Sequence, residues 1–326
     1  MELLLRSAGR ELMAEEDVEA FLPPLDPDFA ALADVDTGDG VGTEDFDLAE
    51  MRAGMDAASP LPTTIAEVDV GRVVVHADTG VEAETFTPTT PGPHPALLWL
   101  HGGGYVIGAR VMGGARMQSW SAKLGCFAMS VDYRLAPEHP FPAAHDDARH
   151  ALEWLIDSAE DLGIDAERIV VAGASAGGGI AAGLALAARD RGLSLAGQLL
   201  VYPMLDDRQQ TPSSTWTTPV WPQIANEYAW RAYLGDHPDE VTAYAAPARA
   251  SDLAGLPPTM VIVGSADRFV DEDLAYASRL MHAGVLTDVR VYGGAPHGFD
   301  IVGADSSIST AAVTDAENWL RHRFAR

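Results

Sequence analysis

Short apolar runs recur along the chain, and most of them end in turn-forming residues. Nearly continuous apolar runs are typical of strands in a parallel sheet that is covered on both faces. They predict strands at residues 70–77, 96–100, 126–133, 168–174, 196–203, 258–267 and 287–294. Other segments have apolar residues at helical spacing, namely residues 143–163, 271–284 and 314–325. The alternation predicts an α/β fold in which helices flank a mostly parallel central sheet.

Two regions depart from this alternation. Residues 1–60 are rich in Asp, Glu, Pro and Ala, and TEDFDLAEMRAGMDAAS (43–59) within them predicts a helix. Residues 205–250 form a long insertion with many aromatic side chains that follows a predicted strand. Insertions of this length in α/β proteins commonly lie at the carboxyl ends of strands, where ligands bind. We therefore expect the two regions to form a lid over a site at that edge of the sheet.

The chain is strongly acidic. Its 326 residues include 48 acidic and 21 basic ones, so the formal net charge is −27. This charge disfavours nucleic acid and anionic membranes as partners, because both would be repelled. The only lysine is Lys123, and every other cation is arginine. Two interpretations of this composition stay open: the base composition of the genome, or a surface adapted to high salt.

The single cysteine, Cys126, lies in an apolar run and is predicted to be a small buried residue. One cysteine excludes an intrachain disulfide and a thiolate metal site. No His, Asp and Glu cluster has metal-ligand spacing, so neither a metal nor a cofactor is expected. The amino terminus lacks a signal-peptide pattern, and no apolar run has the length of a membrane span. The sequence therefore predicts a soluble cytoplasmic protein.

The segment GASAG (173–177) places Ser175 between a predicted strand and an Ala-rich predicted helix. This is the context of a nucleophile elbow, a sharp turn that lifts a serine hydroxyl clear of the sheet. The flanking glycines remove side chains that would collide inside the turn. A phosphate-binding turn is the alternative, but the Gly-x-Gly-x-x-Gly pattern of a dinucleotide site is absent here. Ser175 is therefore the predicted nucleophile.

A serine hydroxyl needs a base, and the base needs a group that orients it. In hydrolases with a nucleophile elbow, the acid and then the histidine follow the serine, at the ends of later strands. Asp267 ends the predicted strand MVIVGSA, and His297 lies in a loop rich in Gly and Pro after the last strand. The acidic residues 271–273 are expected to begin the next helix, where they complement its dipole. The sequence therefore predicts a Ser175–His297–Asp267 triad.

The segment HGGG (101–104) follows the predicted strand at 96–100. Attack of a serine on an acyl carbon produces an oxyanion, and two or three backbone N–H groups must already point at it. One is expected from Ala176, the residue after the nucleophile, and the others from this glycine loop. Glycines let the loop bring bare amides close to the substrate carbonyl. His101 is expected to orient the loop.

Six segments together resemble the hormone-sensitive-lipase-like branch of the α/β-hydrolase superfamily, which includes many bacterial carboxylesterases. They are HGGGY (101–105), DYRLAPEHPFPAAHDD (132–147), GASAGG (173–178), VYPMLDD (201–207), GSADRFVDED (264–273) and HGF (297–299). The resemblance covers the chain from about residue 70 to its end. It implies the α/β-hydrolase fold, the same triad, and an oxyanion hole formed by Gly103, Gly104 and Ala176. Members of this branch commonly have Asp or Thr before the nucleophile, whereas this chain has Ala174.

The resemblance also implies a helical cap. Its parts are residues 1–60 and an insertion at about 205–250 within a catalytic domain of residues 61–326. The candidates for the wall of the substrate pocket are Tyr105, Trp216 and Trp221. Alternatively, the aromatic residues of the insertion pack in the interior of the cap. The segment at 132–147 is interpreted as buried polar support for the loops, provided by Tyr133, Arg134, Glu138, His139 and Asp146.

This combination predicts a serine carboxylesterase that hydrolyses short-to-medium acyl esters through an acyl-enzyme. Bulky cap residues are expected to close the acyl pocket, so chains of about two to eight carbons should be preferred. An amidase or deacetylase with the same triad is the alternative. A non-catalytic small-molecule receptor on the same fold is disfavoured, because His297 is present. The expected partner is a small-molecule ester, and a homodimer stays open.

Overall fold

The structure is a computed structural model that describes residues 23–34, 41–42, 46–58, 64–235 and 241–325. Its centre is a sheet of eight strands. Their bounds are β1 Val68–His76, β2 Val81–Pro88, β3 His94–Leu100, β4 Phe127–Val131, β5 Ile164–Ala174, β6 Gly197–Val201, β7 Thr259–Gly264 and β8 Thr287–Tyr292. The strand order across the sheet is β1-β2-β4-β3-β5-β6-β7-β8.

Among the strands that the structure describes, only β2 runs in the opposite direction, and it pairs antiparallel with β1 and β4. All other pairs, from β4–β3 to β7–β8, are parallel. The predicted mostly parallel sheet is thereby confirmed. The carboxyl ends of β3 to β8 all meet at one edge, where ligands bind in open α/β sheets.

Helices cover both faces of the sheet, as the alternation predicted. Their bounds are α1 Leu48–Ala58, α2 Gly114–Leu124, α3 Ala143–Asp157, α4 Ala159–Leu162, α5 Ala176–Asp190, α6 Gln223–Leu234, α7 Val270–His282, α8 Phe299–Val302 and α9 Ser307–Phe324. Short 3₁₀ helices occur at Pro27–Asp34, Arg110–Gly113, Pro212–Thr215 and Pro247–Arg249.

Strand β3 shows how the core is divided between the two faces. Leu98 and Leu100 belong to the apolar cluster that contains residues of α3, α5 and α7. Leu97 and Trp99 belong to the other cluster, with residues of α2 and α9. Both sets are buried because successive strand residues point to opposite faces and both faces carry helices. This burial is why the strand is a continuous apolar run.

Strand β2 is the one strand that the apolar pattern does not predict. Its sequence, VEAETFTP, alternates acidic and Thr residues with apolar ones and contains no apolar run. The fold nevertheless buries Glu84 and Thr85, which are 5% and 7% exposed. Pairing with β1 on one side and β4 on the other fixes this strand, and these contacts are not visible in the local sequence.

Cys126 is buried, as predicted. Its thiol donates to the carbonyl oxygen of Trp120 at 3.7 Å. Burial raises the pKa of Cys126 to about 12. In the ranges that the structure describes, no helix combines the length and the apolar character needed to cross a lipid bilayer.

The amino-terminal region is tied to the rest of the chain by Arg52 of α1. Its guanidinium donates to the carbonyl oxygens of Val106 and Ala136, both at 2.8 Å. It also pairs with both carboxylate oxygens of Glu138, at 2.8 and 3.0 Å. The helix predicted within residues 43–59 corresponds to α1, Leu48–Ala58, which docks beside the loop that follows β3.

Candidate active site

Ser175 occupies the turn between β5 and α5. Its backbone φ is +55° and its ψ is −121°, a conformation that a non-glycine residue adopts only under strain. The flanking glycines are required by close packing. A Cβ at Gly173 would lie 2.2 Å from the carbonyl oxygen of Gly177, and a Cβ at Gly177 would lie 2.1 Å from that of Leu100. The turn therefore holds the serine above the carboxyl edge of the sheet.

His297 lies between the two other residues of the predicted triad. Its Nε2 is 2.9 Å from Oγ of Ser175, and its Nδ1 is 2.8 Å from Oδ2 of Asp267. A carboxylate only accepts hydrogen bonds, so Nδ1 donates to Asp267 and Nε2 accepts from the serine hydroxyl. Ser175 and His297 are 5% exposed and Asp267 is completely buried. A hydroxyl, an imidazole and a carboxylate in this order can activate the serine as a nucleophile.

Asp267 and Asp271 are close in sequence but make different contacts. Besides His297, Asp267 binds the backbone N–H of Phe269, which donates to Oδ1 at 3.0 Å. The carboxylate of Asp271 instead accepts from the backbone N–H of Ser213 at 2.8 Å. The N–H of Asp271 donates in return to the Ser213 hydroxyl at 3.2 Å. Asp271 therefore anchors part of the insertion.

The acidic residues 271–273 lie in the first turn of α7, as expected. Glu272 is buried there, and its carboxylate accepts from the N–H groups of Leu205 and Asp206 at 2.8 and 3.1 Å. Burial raises the pKa of Glu272. This carboxyl group therefore joins the loop after β6 to α7, next to the Asp267 loop.

Aromatic side chains enclose the ring of His297. Tyr202 and Phe269 make edge contacts with ring-centroid distances of 4.8 and 5.1 Å, and Trp221 lies at 6.3 Å. The hydroxyl of Tyr202 donates to the carboxylate of Asp300. These contacts fix the orientation of the imidazole and reduce its contact with water.

The glycine loop after β3 packs too closely for side chains. A Cβ at Gly103 would lie 2.1 Å from the carbonyl oxygen of Ile107, and a Cβ at Gly104 would lie 2.3 Å from the ring of Trp221. Their φ angles are +120° and +57°, which favour glycine. Within the described part of the chain, the N–H groups of Gly103 and Gly104 donate to no protein acceptor. Ala176 is the first residue of α5, and the first N–H groups of a helix have no acceptor within it. Of these residues, Gly103 also lines the cavity beside Ser175.

The side chain of His101 supports the glycine loop. Its Nδ1 donates to the carbonyl oxygen of Gly102 at 2.8 Å. Its ring stacks on Tyr133 at a centroid distance of 4.1 Å, and the Tyr133 hydroxyl donates to the His101 carbonyl at 2.7 Å. Burial lowers the pKa of His101, so the ring is neutral near pH 7. These contacts agree with the expected orienting role.

The polar support predicted in residues 132–147 is only partly correct. Arg134 pairs with Asp147, which is completely buried, at distances from 2.7 Å. Glu138 and His139 are exposed, and Asp146 is only half-buried. Asp147 replaces Asp146 because neighbouring helix residues differ by about 100° in direction, so only one of them faces inward.

A cavity of about 990 Å³ opens beside Ser175. Leu32 and Met51 of the amino-terminal region and Trp221 and Ala225 of the insertion line it. Both predicted lid regions therefore contribute to its wall. A cavity of this size and largely apolar lining suits a small organic ligand.

Of the three pocket candidates, only Trp221 lies in the wall of the cavity. Tyr105 is buried elsewhere, where its hydroxyl donates to the Met204 carbonyl at 3.1 Å and its ring stacks on Tyr233 at 3.8 Å. Trp216 packs against the apolar cluster on the α2 and α9 face. The structure therefore gives Tyr105 and Trp216 packing roles, because the aromatic content of a segment does not determine which ring faces a cavity.

Arg268 is a residue of the site that the sequence analysis missed. Its side chain is completely buried. The guanidinium donates to the carbonyl oxygens of Ser214 and Trp221, both in the insertion. Burial lowers the pKa of Arg268 to about 10. Its only sequence signal is its place directly after Asp267, the predicted acid.

Arg116 and Asp300 were also missed, and both line the cavity. Nη1 of Arg116 is 2.6 Å from Oδ2 of Asp300. No local motif marks them, since they are far apart in sequence. Among the described residues, no three His, Cys, Asp or Glu side chains are arranged so that they could hold a metal ion.

Comparison with known proteins identifies the family. Residues 97–301, more than half of the chain, match a family described as the alpha/beta hydrolase fold. The chain belongs to this family, and the predicted resemblance to its hormone-sensitive-lipase-like branch is confirmed.

Relatives that match most of the chain are named as ester-hydrolysing enzymes. A solved structure described as a bacterial heroin esterase is 37% identical, with a TM-score of 0.85, and the match covers 93% of this chain and 99% of that one. Carboxylesterase NlhH of Mycobacterium tuberculosis is 32% identical over 288 residues, which cover 85% of this chain and 89% of the relative. Carboxylic ester hydrolase LipN of the same organism is 32% identical over 299 residues, covering 88% and 79%. The chain groups with the carboxylic ester hydrolases of the α/β-hydrolase fold.

Proposed function

We propose that the chain is a serine carboxylesterase in which Ser175, His297 and Asp267 are the catalytic triad. The 2.9 Å contact between His297 Nε2 and Ser175 Oγ carries the proposal. His297 takes the serine proton as Oγ attacks the ester carbonyl carbon. It then gives this proton to the alcohol oxygen as the C–O bond breaks, which leaves the acyl group on Ser175. Asp267 holds the imidazole tautomer and stabilises its cationic form.

The oxyanion formed by this attack would accept hydrogen bonds from the N–H groups of Gly103, Gly104 and Ala176. The lack of protein acceptors for Gly103 and Gly104 in the described part of the chain supports this role. Ala176 is the first residue of α5, so the positive end of the helix dipole also faces the developing charge. Donors fixed in advance are effective because they need no reorganisation during the reaction.

Hydrolysis of the acyl-enzyme would repeat the same steps with water. His297 takes a proton from the water molecule as its oxygen attacks the acyl carbon. Collapse of the second tetrahedral intermediate returns the proton to Ser175 and releases the carboxylic acid. The buried environment of His297 keeps its proton transfers within the site.

We assign residues 1–60 and about 205–250 to a cap over a catalytic domain that spans residues 61–326. Of the first of these regions, residues 1–22, 35–40, 43–45 and 59–60 lie outside the described residues. The contributions of Leu32, Met51 and Trp221 to the cavity wall support this division. We further propose that bulky cap residues such as Trp221, which border the cavity, limit the acyl chain, so that acyl groups of about two to eight carbons are preferred.

A series of 4-nitrophenyl esters with two to sixteen acyl carbons tests the function and the length limit. Each methylene that fits adds about 0.8 kcal/mol, or about fourfold in kcat/KM, until the space is filled. Higher kcat/KM for sixteen carbons than for four would contradict the length limit. A 4-nitroanilide with the same acyl group is the matched amide, and turnover equal to that of the ester would favour an amidase. Ser175→Ala is the control for background hydrolysis.

A further inference from the structure

The wall of the cavity beside Ser175 contains a pair of oppositely charged side chains, Arg116 and Asp300. Among the described residues that line the cavity, histidines aside, only Arg116 and Asp300 have a charged side chain. Nη1 of Arg116 is 2.6 Å from Oδ2 of Asp300. A few polar groups placed in an otherwise apolar wall are what fixes the orientation of a bound ligand.

The two members of this pair differ in their remaining hydrogen-bonding capacity. Both oxygens of Asp300 are engaged, because Oδ1 accepts from the Tyr202 hydroxyl, and its side chain is 3% exposed. A guanidinium group has five N–H donors, and in the part of the chain that the structure describes Asp300 is the only carboxylate that pairs with Arg116. The Arg116 side chain is 21% exposed. Arg116 therefore keeps N–H groups that a molecule in the cavity can reach.

Arg116 is also held in a fixed position. The carbon of its guanidinium group lies 6.0 Å from the centroid of the Trp99 ring and 5.8 Å from that of Trp120. Both distances are within the range of cation–π attraction. Together with Asp300, the two rings restrict the side chain before any ligand arrives. Little conformational freedom is then lost on binding, which favours recognition by the free N–H groups.

The Arg116–Asp300 pair is connected to the catalytic histidine through Tyr202. The Tyr202 ring contacts His297 at a centroid distance of 4.8 Å, while its hydroxyl donates to Asp300. The pair therefore borders the same cavity region as the His297 loop. A cavity of about 990 Å³ has room for an ester bound at Ser175 that also extends to Arg116.

On the basis of the proposed esterase function, we infer that Arg116 recognises a neutral hydrogen-bond acceptor elsewhere in the ester, such as a second carbonyl oxygen. The acceptor is neutral because Asp300 already balances the charge of Arg116, and a chain with a net charge of −27 repels anionic substrates. The substrate class is therefore esters with a second carbonyl, such as keto-esters and diesters. Plain alkyl esters would occupy the same cavity without this contact.

Matched ester pairs test this inference. Each pair has the same number of chain atoms, and one member has a carbonyl in place of a methylene, at successive positions of the acyl or the alcohol chain. The measurement is the ratio of kcat/KM for keto-ester and plain ester, followed by acid release in a pH-stat. At the best position, Arg116→Met should lower this ratio about tenfold, the effect of one hydrogen bond to a charged group. Arg321→Met, on an exposed face of α9, is the matched control and should leave the ratio as in the wild type.

Arg116→Met leaves Asp300 without its cation, so the double variant with Asp300→Asn provides a second test if the single variant folds poorly. It should show the same loss of preference, with folding checked by circular dichroism. Equal ratios in the wild type and both variants at every position would overturn the inference, as would a preference for half-esters that carry a free carboxylate. Failure of the wild type to hydrolyse either member of any pair would instead overturn the proposed esterase function.

Discussion

Replacement of Asp267 by Asn separates the proposed triad acid from its acidic neighbours. The Asn side chain has nearly the same shape, so it can keep the contact of one oxygen with the N–H of Phe269. It cannot keep the negative charge beside His297, whose Nδ1 is 2.8 Å from the carboxylate in the structure. The variant therefore tests charge and hydrogen-bond direction rather than packing.

Two effects should lower the rate in this variant. In the transition state, two unit charges about 4 Å apart attract each other by about 4 kcal/mol at an effective dielectric constant of about 20. Loss of this attraction corresponds to about 10³-fold in rate. In addition, the Asn amide can donate to Nδ1 and so favour the tautomer that cannot accept from Ser175. We expect kcat to fall at least about 10³-fold with little change in KM.

The assay is kcat and KM on one short 4-nitrophenyl ester for the wild type, Asp267→Asn and Asp271→Asn. Asp271→Asn is the matched control, since its amide oxygen can still accept from the N–H of Ser213. It should change kcat by less than about fivefold, the cost of weakening one hydrogen bond by about 1 kcal/mol. The assignment of Asp267 as the triad acid would be refuted if Asp271→Asn lost most of its kcat while Asp267→Asn stayed active, with both variants shown to be folded by circular dichroism.

Three further predictions concern buried groups. At about 1.4 kcal/mol per pKa unit, the lowered pKa of Arg268 means that burial of its charge costs about 3 kcal/mol, which largely offsets the gain from its hydrogen bonds. Arg268→Met should therefore change the free energy of unfolding little. It should raise KM, because Trp221 in the cavity wall loses the hydrogen bond to its carbonyl oxygen. Folded Cys126 should not react with a thiol reagent at pH 8, whereas the denatured chain should react with one equivalent, since burial raises its pKa to about 12. Burial lowers the pKa of His101, so as the pH falls below about 6.5 the unfolded chain binds a proton at this residue more readily than the folded chain does. The free energy of unfolding, measured in urea, should therefore decline from pH 7 to pH 5, and it should decline less steeply in His101→Asn. Each prediction has a result that would contradict it: an unchanged KM in Arg268→Met, rapid labelling of folded Cys126, or the same dependence of stability on pH in the wild type and His101→Asn.

The residues that the sequence could identify are those whose chemistry is marked by a local pattern. Ser175 lies in a strand–turn–helix segment with two obligatory glycines, and His297 follows the last strand in a Gly- and Pro-rich loop. In a parallel sheet, strand ends meet at one edge, so their order in the sequence already implies proximity. The same reasoning predicted the sheet, apart from β2, whose burial depends on pairing with strands on both sides.

The residues that the sequence could not identify depend on contacts between distant segments. Arg116 and Asp300 meet only when α2 packs beside the loop that carries His297, and neither is part of a motif. Trp216 and Trp221 are five positions apart in one aromatic segment, yet only Trp221 faces the cavity. Such choices are determined by the direction of each side chain after the insertion has folded. Composition and spacing carry little information about that direction.

Covalent labelling by a 4-nitrophenyl alkylphosphonate tests the central claim most directly, because the adduct resembles the tetrahedral intermediate and is not turned over. One equivalent of 4-nitrophenol should be released as activity is lost. Mass spectrometry should then find the phosphonyl group on the tryptic peptide of residues 169–189, which contains Ser175. The Ser175→Ala variant should release none and remain unlabelled. Loss of activity with the label on another peptide, or an unlabelled enzyme that still hydrolyses esters, would contradict catalysis by Ser175.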